Sequence, residues 1–166
     1  MSSPLTIRLA TVDDLASINA IYNEYPSTST TTYDLEPWSL ERRQEWFAGR
    51  EEIHPVTVAY RNGEVVGWGA LSTFRSRPAY RQTVENSVYV HPDHVRQGIG
   101  SQLLADQIER ARKLNLKTII AAIDSEQTGS LALHQKFGFV EHGRFVDIGY
   151  KFDRWLTSVF MQLMLD

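Results

Sequence analysis

The sequence contains no cysteine. Disulfides, thiolate nucleophiles and cysteine-ligated zinc are therefore excluded. It has no apolar run long enough to approach a membrane span, and the opening "MSSPLTIRLA" lacks the charged and apolar regions of a signal peptide. There is no basic excess either. Lys and Arg number 17 against 20 Asp and Glu, a formal net charge of -3, which gives no footprint for nucleic acid or an anionic membrane. Repeats, low-complexity tracts and linkers are missing too. The expectation is a cytoplasmic protein whose residues 1–166 make one domain, long enough to bury ~70% of the unfolded surface.

What is present is an ordered series of elements. "LTIRLA" alternates as a short strand. Thr11 precedes Asp14 by three, a capping-box spacing that opens a helix through Leu15, Ile18, Ile21, Tyr22 and Tyr25. "PSTSTTTYDLEP" is too polar for core and reads as a surface loop, and a second helix runs from Ser39 to about Gly49. "PVTVAYRNGEVVGWGALSTF" is two strands joined by Asn62-Gly63, the strongest short hairpin signal. "QTVENSVYV" is a third strand. A helix follows with Leu103, Leu104, Ile108, Ala111 and Leu114 on one side. "KTIIAAI" is a strand buried on both faces, "GSLALHQKF" a shorter helix stopped by Gly138, and "FVEHGRF" and "SVFMQLML" are the last strands. Helices, then a meander, then alternating helix and strand predict a mixed α/β domain around one sheet.

Three patterns carry chemistry. Gly98 and Gly100 in "VHPDHVRQGIGSQLL" stand where a helix begins, although glycine weakens a helix by up to ~1 kcal/mol against alanine. Main-chain N–H groups at a helix start attract anions, and glycine lets a phosphate come close. Arg96 adds a charge-assisted contact. A turn using glycine for conformation alone fits the same letters. It is neither a P-loop nor a Rossmann fingerprint. On "TVENSVYV", alternation groups Thr83, Glu85, Ser87 and Tyr89 opposite Val84, Asn86, Val88 and Val90. A carboxylate on a central strand is either partnered or functional. In "FRSRPAY", Arg75 and Arg77 point to one side and suit a carboxylate or an oxygen-rich tetrahedral group, a solvated loop being the alternative. His91 and His94 have a metal-like spacing but flank a proline turn with no second pair, and read as that turn.

Strand "VENSVYV", turn "VRQGIG", the helix and strand after it, and "SLALHQKFGF" resemble the core of the GNAT acyl-CoA-dependent N-acetyltransferases, and the similarity covers almost the whole chain. Within that superfamily the sequence most resembles the phosphinothricin and methionine sulfone or sulfoximine acetyltransferases, on "IYNEYPSTSTTTYDLEP", "FRSRPAYRQTVENSVYVHPDH" and "GYKFDRW". The resemblance implies one GNAT-type domain, a mostly antiparallel mixed sheet flanked by about four helices. It implies acetyl-CoA as co-substrate, no metal, a small amino acid analogue as acceptor, and a homodimer. Arg96, Gln97, Gly98, Ile99, Gly100 and Ser101 then hold the pyrophosphate of coenzyme A. Val95 stands where the family usually has Gln or Arg, which weakens side-chain support and not the main-chain grip.

The same resemblance implies roles for individual residues. A bulge splays the strand, so that main-chain groups of Val88 and Val90 face the acetyl-pantetheine arm, with Tyr89 between them a further cofactor contact. Glu85 is the general base, directly or through a water. His134, four residues before Gly138, stands where most of the superfamily has a tyrosine that protonates the leaving thiolate; it is read as acid, as base, or as a hydrogen-bonded helix residue. Gln127 and Ser130 are further cofactor contacts. Arg75, Ser76, Arg77, Tyr80, Glu85, Asn86, Ser87, Lys151 and Trp155 line the acceptor pocket, with hydroxyls from "STSTTTY", across a dimer interface in one reading. Without cysteine or a Gly-x-Ser-x-Gly elbow, direct attack of the amine on acetyl-CoA is the simplest scheme. The alternatives are acetylation of another amine or a peptide N-terminus, and a non-catalytic acyl-CoA sensor. A sensor needs only the glycine turn, so Glu85 and His134 together argue against it.

Overall fold

The computed structural model describes residues 4–166; the first three residues of the stretch read against a signal peptide lie outside the described residues. The chain runs β1 (Thr6–Leu9), α1 (Leu15–Asn23), α2 (Leu40–Ala48), β2 (Val56–Arg61), β3 (Glu64–Thr73), β4 (Thr83–Val90), α3 (Ile99–Lys113), β5 (Thr118–Asp124), α4 (Thr128–Lys136), β6 (Val140–Lys151) and β7 (Arg154–Met164). These strands form one sheet in the order β1-β2-β3-β4-β5-β7-β6. Every neighbouring pair is antiparallel except β4 and β5.

Local sequence explains the boundaries. Asn62 and Gly63 both have positive φ, at 54° and 87°, which is the type I′ turn that matches strand twist. Asp14 accepts a hydrogen bond from the Thr11 N–H at 2.8 Å and a forked pair from Arg8 at 2.7 and 2.9 Å, fixing the start of the first helical segment. The Ser39 hydroxyl accepts from the Arg42 N–H at 3.1 Å and caps α2. Gly138, at φ 90°, ends α4.

The sheet is covered on both faces. On one, Leu15, Ile18 and Ile21 of α1 pack with Val56, Val58, Trp68 and Ala70. Arg43 of α2 is buried there against rings rather than a carboxylate, its guanidinium 4.1 Å from the Trp38 ring centroid and 4.7 Å from that of Trp46. On the other face Leu104, Ile108 and Ala111 of α3 pack with Leu71, Val84, Ile119 and Met161. The predicted alternation on β4 holds across these layers. Tyr89 stacks on Trp68 in the α1 layer, while Val84, Val88 and Val90 pack in the α3 layer.

Gly69 lets α3 come close. The fully buried Gln107 lies across it and donates to the Ser87 carbonyl at 2.8 Å, tying α3 to β4. A Cβ at Gly69 would sit 3.0 Å from the Ser87 oxygen and collide with the Gln107 amide. Gly69→Ala is therefore expected to lower unfolding free energy by about 1–3 kcal/mol. Urea denaturation measures this, and an unchanged midpoint would show that Gln107 moves aside freely.

Three expectations need correction. The "PSTSTTTYDLEP" loop is not purely surface, because Pro26, Thr30 and Thr32 are buried; polar contacts described below satisfy its hydroxyls and carbonyls. The last two strands run longer than expected and continue through "GYKFDRW" in a hairpin turned by Phe152 and Asp153, both with φ near 55°. That turn lacks the glycine by which such turns are recognised. Finally, β4 carries no bulge. Its register against β3 is unbroken from Val84 to Val90, and the irregularities lie between β2 and β3 and between β6 and β7.

Candidate active site

β4 and β5 part without a bulge. They pair at Thr83↔Thr118, Val84↔Ile119 and Glu85↔Ile120 and no further, so beyond Glu85 the two edges diverge. A cavity of about 320 Å³ occupies the gap. Its lining comes from both faces of the sheet: Thr30–Tyr33 from the loop between α1 and α2, Glu85–Tyr89 from β4, Ala121–Asp124 from β5, and Gln127, Ser130 and His134 from α4 and its start. Ala122 is exposed into this gap, so β5 is not buried on both faces along its whole length.

Glu85 sits at the point of divergence, on the face shared with Tyr89 and the α1–α2 loop. Among the described residues its carboxylate has no hydrogen-bond or ion-pair partner, and burial raises its pKa above the ordinary glutamate range. Ser87 lies on the same face of the strand and lines the cavity.

Asn86, expected among the acceptor ligands, turns the other way. Its amide donates to His134 Nε2 at 3.0 Å and to Gln107 at 3.4 Å. His134, 4% exposed, donates from Nδ1 to the Ser130 carbonyl at 2.8 Å. A carbonyl can only accept, so the ring proton is on Nδ1 and Nε2 is the acceptor. Burial lowers the pKa of this imidazole, which keeps it neutral. In the resting ring both nitrogens are therefore engaged, Nε2 by Asn86 and Nδ1 by Ser130.

The glycine turn lies on that same side. Gly98 has φ 79° with open space around it, and Arg96 has φ 60°. Among the described residues no side chain caps α3, and the first helical N–H with a partner is that of Gln102, bonded to the Gly98 carbonyl at 3.2 Å. The N–H groups before it remain available to an anion. Ile99 is buried in the core, so it can serve only through its main chain. Gln97 is held by Arg61 at 2.6 Å. The residues thus fit a pyrophosphate gripped mainly by main chain. A Cβ on Gly100 would point between α4 and β4, 3.5 Å from Leu133 and 4.0 Å from Val88 and Val90. Gln127 lines the cavity while donating to Thr30 at 3.0 Å, and the Val90 carbonyl accepts from Tyr25.

Other expected acceptor residues lie outside the cavity. Arg75, Ser76, Arg77 and Tyr80 form an exposed depression of their own, on a loop that leaves the sheet beside Glu85, where Ser72 pairs Glu85 and Thr73 pairs Val84. Trp155 is exposed on the β6–β7 hairpin, edge-on to Tyr150. Lys151 is buried and bonded to three carbonyls. His91 caps the Asp93 N–H and His94 accepts from Arg61. Gln107 and Asp124 escaped notice in the sequence. A lone polar residue within the apolar stripe of α3 was the available signal for the first; a carboxylate closing an apolar strand was the signal for the second.

Residues 16–139 match the acetyltransferase (GNAT) family. An L-methionine sulfoximine/L-methionine sulfone acetyltransferase of Pseudomonas paraeruginosa is 42% identical, covering 97% of this chain and 95% of its own. A phosphinothricin N-acetyltransferase of Alcaligenes faecalis is 37% identical, covering 97% and 83%. The structure of a Salmonella typhimurium acetyltransferase with its cofactor acetyl-CoA superposes with a TM-score of 0.95 at 36% identity, over 99% of this chain and 95% of that one. With an uncapped glycine turn leading into a splayed sheet, this chain belongs to the GNAT family, as an acetyl-CoA-dependent N-acetyltransferase similar to those that act on methionine sulfoximine, methionine sulfone and phosphinothricin.

Proposed function

We propose that the enzyme acetylates the amino group of a small α-amino acid analogue, of the methionine sulfone, methionine sulfoximine or phosphinothricin type. The observation that carries this reading is the half-buried Glu85, unpartnered among the described residues, on the α1–α2 side of the splay, opposite the side where the glycine turn and His134 lie. The two substrates then approach from opposite faces of the sheet and meet in the gap.

Acetyl-CoA supplies the activated acetyl group. Arg96, Gly98, Gly100 and Ser101 bind its pyrophosphate, and the β4 edge from Val88 to Val90, with Ser130 and Gln127, orients the arm. Glu85 takes the proton that the ammonium loses, through a water or directly. His134 acts as a neutral hydrogen-bonding group that holds Asn86. It becomes an acid only after gaining a proton, which burial resists. Arg75 and Arg77, on the loop beside Glu85, receive the acceptor's carboxylate or tetrahedral oxygens.

The chain acts as a cytoplasmic homodimer in this reading. β6 is an edge strand exposing Phe145, Val146, Ile148 and Tyr150, an apolar surface suited to a second copy. Acetylation of such analogues removes their free amine, which makes resistance to them one consequence.

The test is release of free CoA with acetyl-CoA and methionine sulfone, methionine sulfoximine, phosphinothricin, methionine or a short peptide. Preference for the sulfone, sulfoximine and phosphinic acceptors is expected. Turnover of the peptide alone would overturn the acceptor assignment, and no turnover despite tight CoA binding would favour a sensor.

A further inference from the structure

Lys151, the last residue of β6, carries a cation into the interior and is 4% exposed. Its Nζ donates to the carbonyls of Ser29 at 2.7 Å, Thr32 at 2.7 Å and Asp34 at 2.9 Å. An ammonium has three N–H bonds, so all are engaged, and no carboxylate forms a salt bridge with it among the described residues. Three carbonyls from one short stretch converge on one nitrogen, so the chain must curl around it. The segment enclosed by that curl, Thr30–Tyr33, is the wall of the cavity on the Glu85 side.

A second anchor holds the same segment. Asp124, at the end of β5, accepts from the Thr30 hydroxyl at 3.1 Å and from the Tyr33 hydroxyl at 2.6 Å. The Tyr33 ring reaches this position by lying against Gly149, where a Cβ would come within 2.8 Å of it. Thr32 is bonded to Tyr22. The hydroxyls of Thr30, Thr32 and Tyr33 are therefore engaged by β5 and α1, and this wall contributes shape.

We propose that Lys151 is a positioning residue for the acceptor: its ammonium, with Asp124 as counter-anchor, fixes the Thr30–Tyr33 wall opposite Glu85. This rests on the reading above that the acceptor enters from that side. Lys151→Met keeps most of the length of the side chain but leaves three buried carbonyls unpaired. It is expected to raise the acceptor KM about tenfold or more while the KM for acetyl-CoA stays within about twofold. Gly149→Ala, which displaces Tyr33 and leaves the ammonium untouched, is expected to shift the same constant in the same direction, and it gives the answer if Lys151→Met does not fold.

A residue with a merely structural role would lower the melting temperature and leave both KM values alone; that outcome overturns the proposal, as does an equal rise for acetyl-CoA. Hydrogen exchange of residues 29–34, measured without any acceptor, should be faster in Lys151→Met than in the wild type. Unchanged protection there also overturns the proposal. A wild type that turns over none of the amino acid analogues refutes the acceptor reading instead, and the exchange measurement still decides the role of Lys151.

Discussion

Replacing Glu85 with glutamine should lower kcat by about 10²- to 10⁴-fold, the usual range for removal of a general base. Acetyl-CoA affinity should change little, because Glu85 faces the α1–α2 loop while the glycine turn and α4 lie on the other side of the sheet. A second consequence has the opposite sign. Burial raises the Glu85 pKa, so the native state holds its proton more tightly than the unfolded chain. Above the unfolded value of about 4.3 the folded protein binds more protons, and its stability falls as pH rises through the folded pKa. The neutral glutamine avoids that cost. Glu85→Gln should therefore be less active and also melt at a higher temperature at pH 7, read by calorimetry beside steady-state kinetics. A variant that lost stability along with activity would mean that Glu85 has a structural partner after all.

Gly100→Val should abolish productive acetyl-CoA binding while leaving the fold standing. A Cβ at this position meets nothing nearer than Leu133 at 3.5 Å, an ordinary contact. The branched side chain would then occupy the space between α4 and β4 that leads from the turn to the splay. We expect the dissociation constant for acetyl-CoA to rise at least about a hundredfold, equivalent to ~2.7 kcal/mol. Valine forms helix somewhat better than glycine, by less than about 1 kcal/mol, so the melting temperature should change only slightly. Titration calorimetry decides between outcomes: unchanged affinity would place the cofactor elsewhere.

Much of this was legible in the letters because local chemistry dictates it. Asn62-Gly63 takes one turn type, the stripe from Leu103 to Ala111 has one face to bury, and alternation on β4 separates Glu85 from Asn86 with no other knowledge. What stayed hidden depends on contacts far apart in sequence. "STSTTTY" looks like surface until Lys151, more than a hundred residues later, brings its ammonium to three of the loop's carbonyls. The same distance hid the role of Lys151 itself, which reads as a pocket cation and is an internal anchor. The family resemblance groups Asn86 with the acceptor, whereas the alternation sends it to the other side of the strand, where it bonds His134. The hairpin at Phe152-Asp153 went unseen because its residues take positive φ without the usual glycine or asparagine. The splay was foreseen and its cause was not: β4 stays in register with β3 and β5 with β7, and the gap opens where β4 and β5 stop pairing after Glu85 and Ile120.

The central claim is that a half-buried Glu85 takes the proton of the attacking amine. The pH dependence of kcat tests it most directly, with wild type and Glu85→Gln measured on methionine sulfone at saturating acetyl-CoA. The base must be ionised to act, and burial raises its pKa. The wild-type rate should therefore climb with unit slope through a midpoint above the ordinary glutamate value of about 4.3. In Glu85→Gln that limb should be absent. The same limb in both proteins would mean that another group takes the proton.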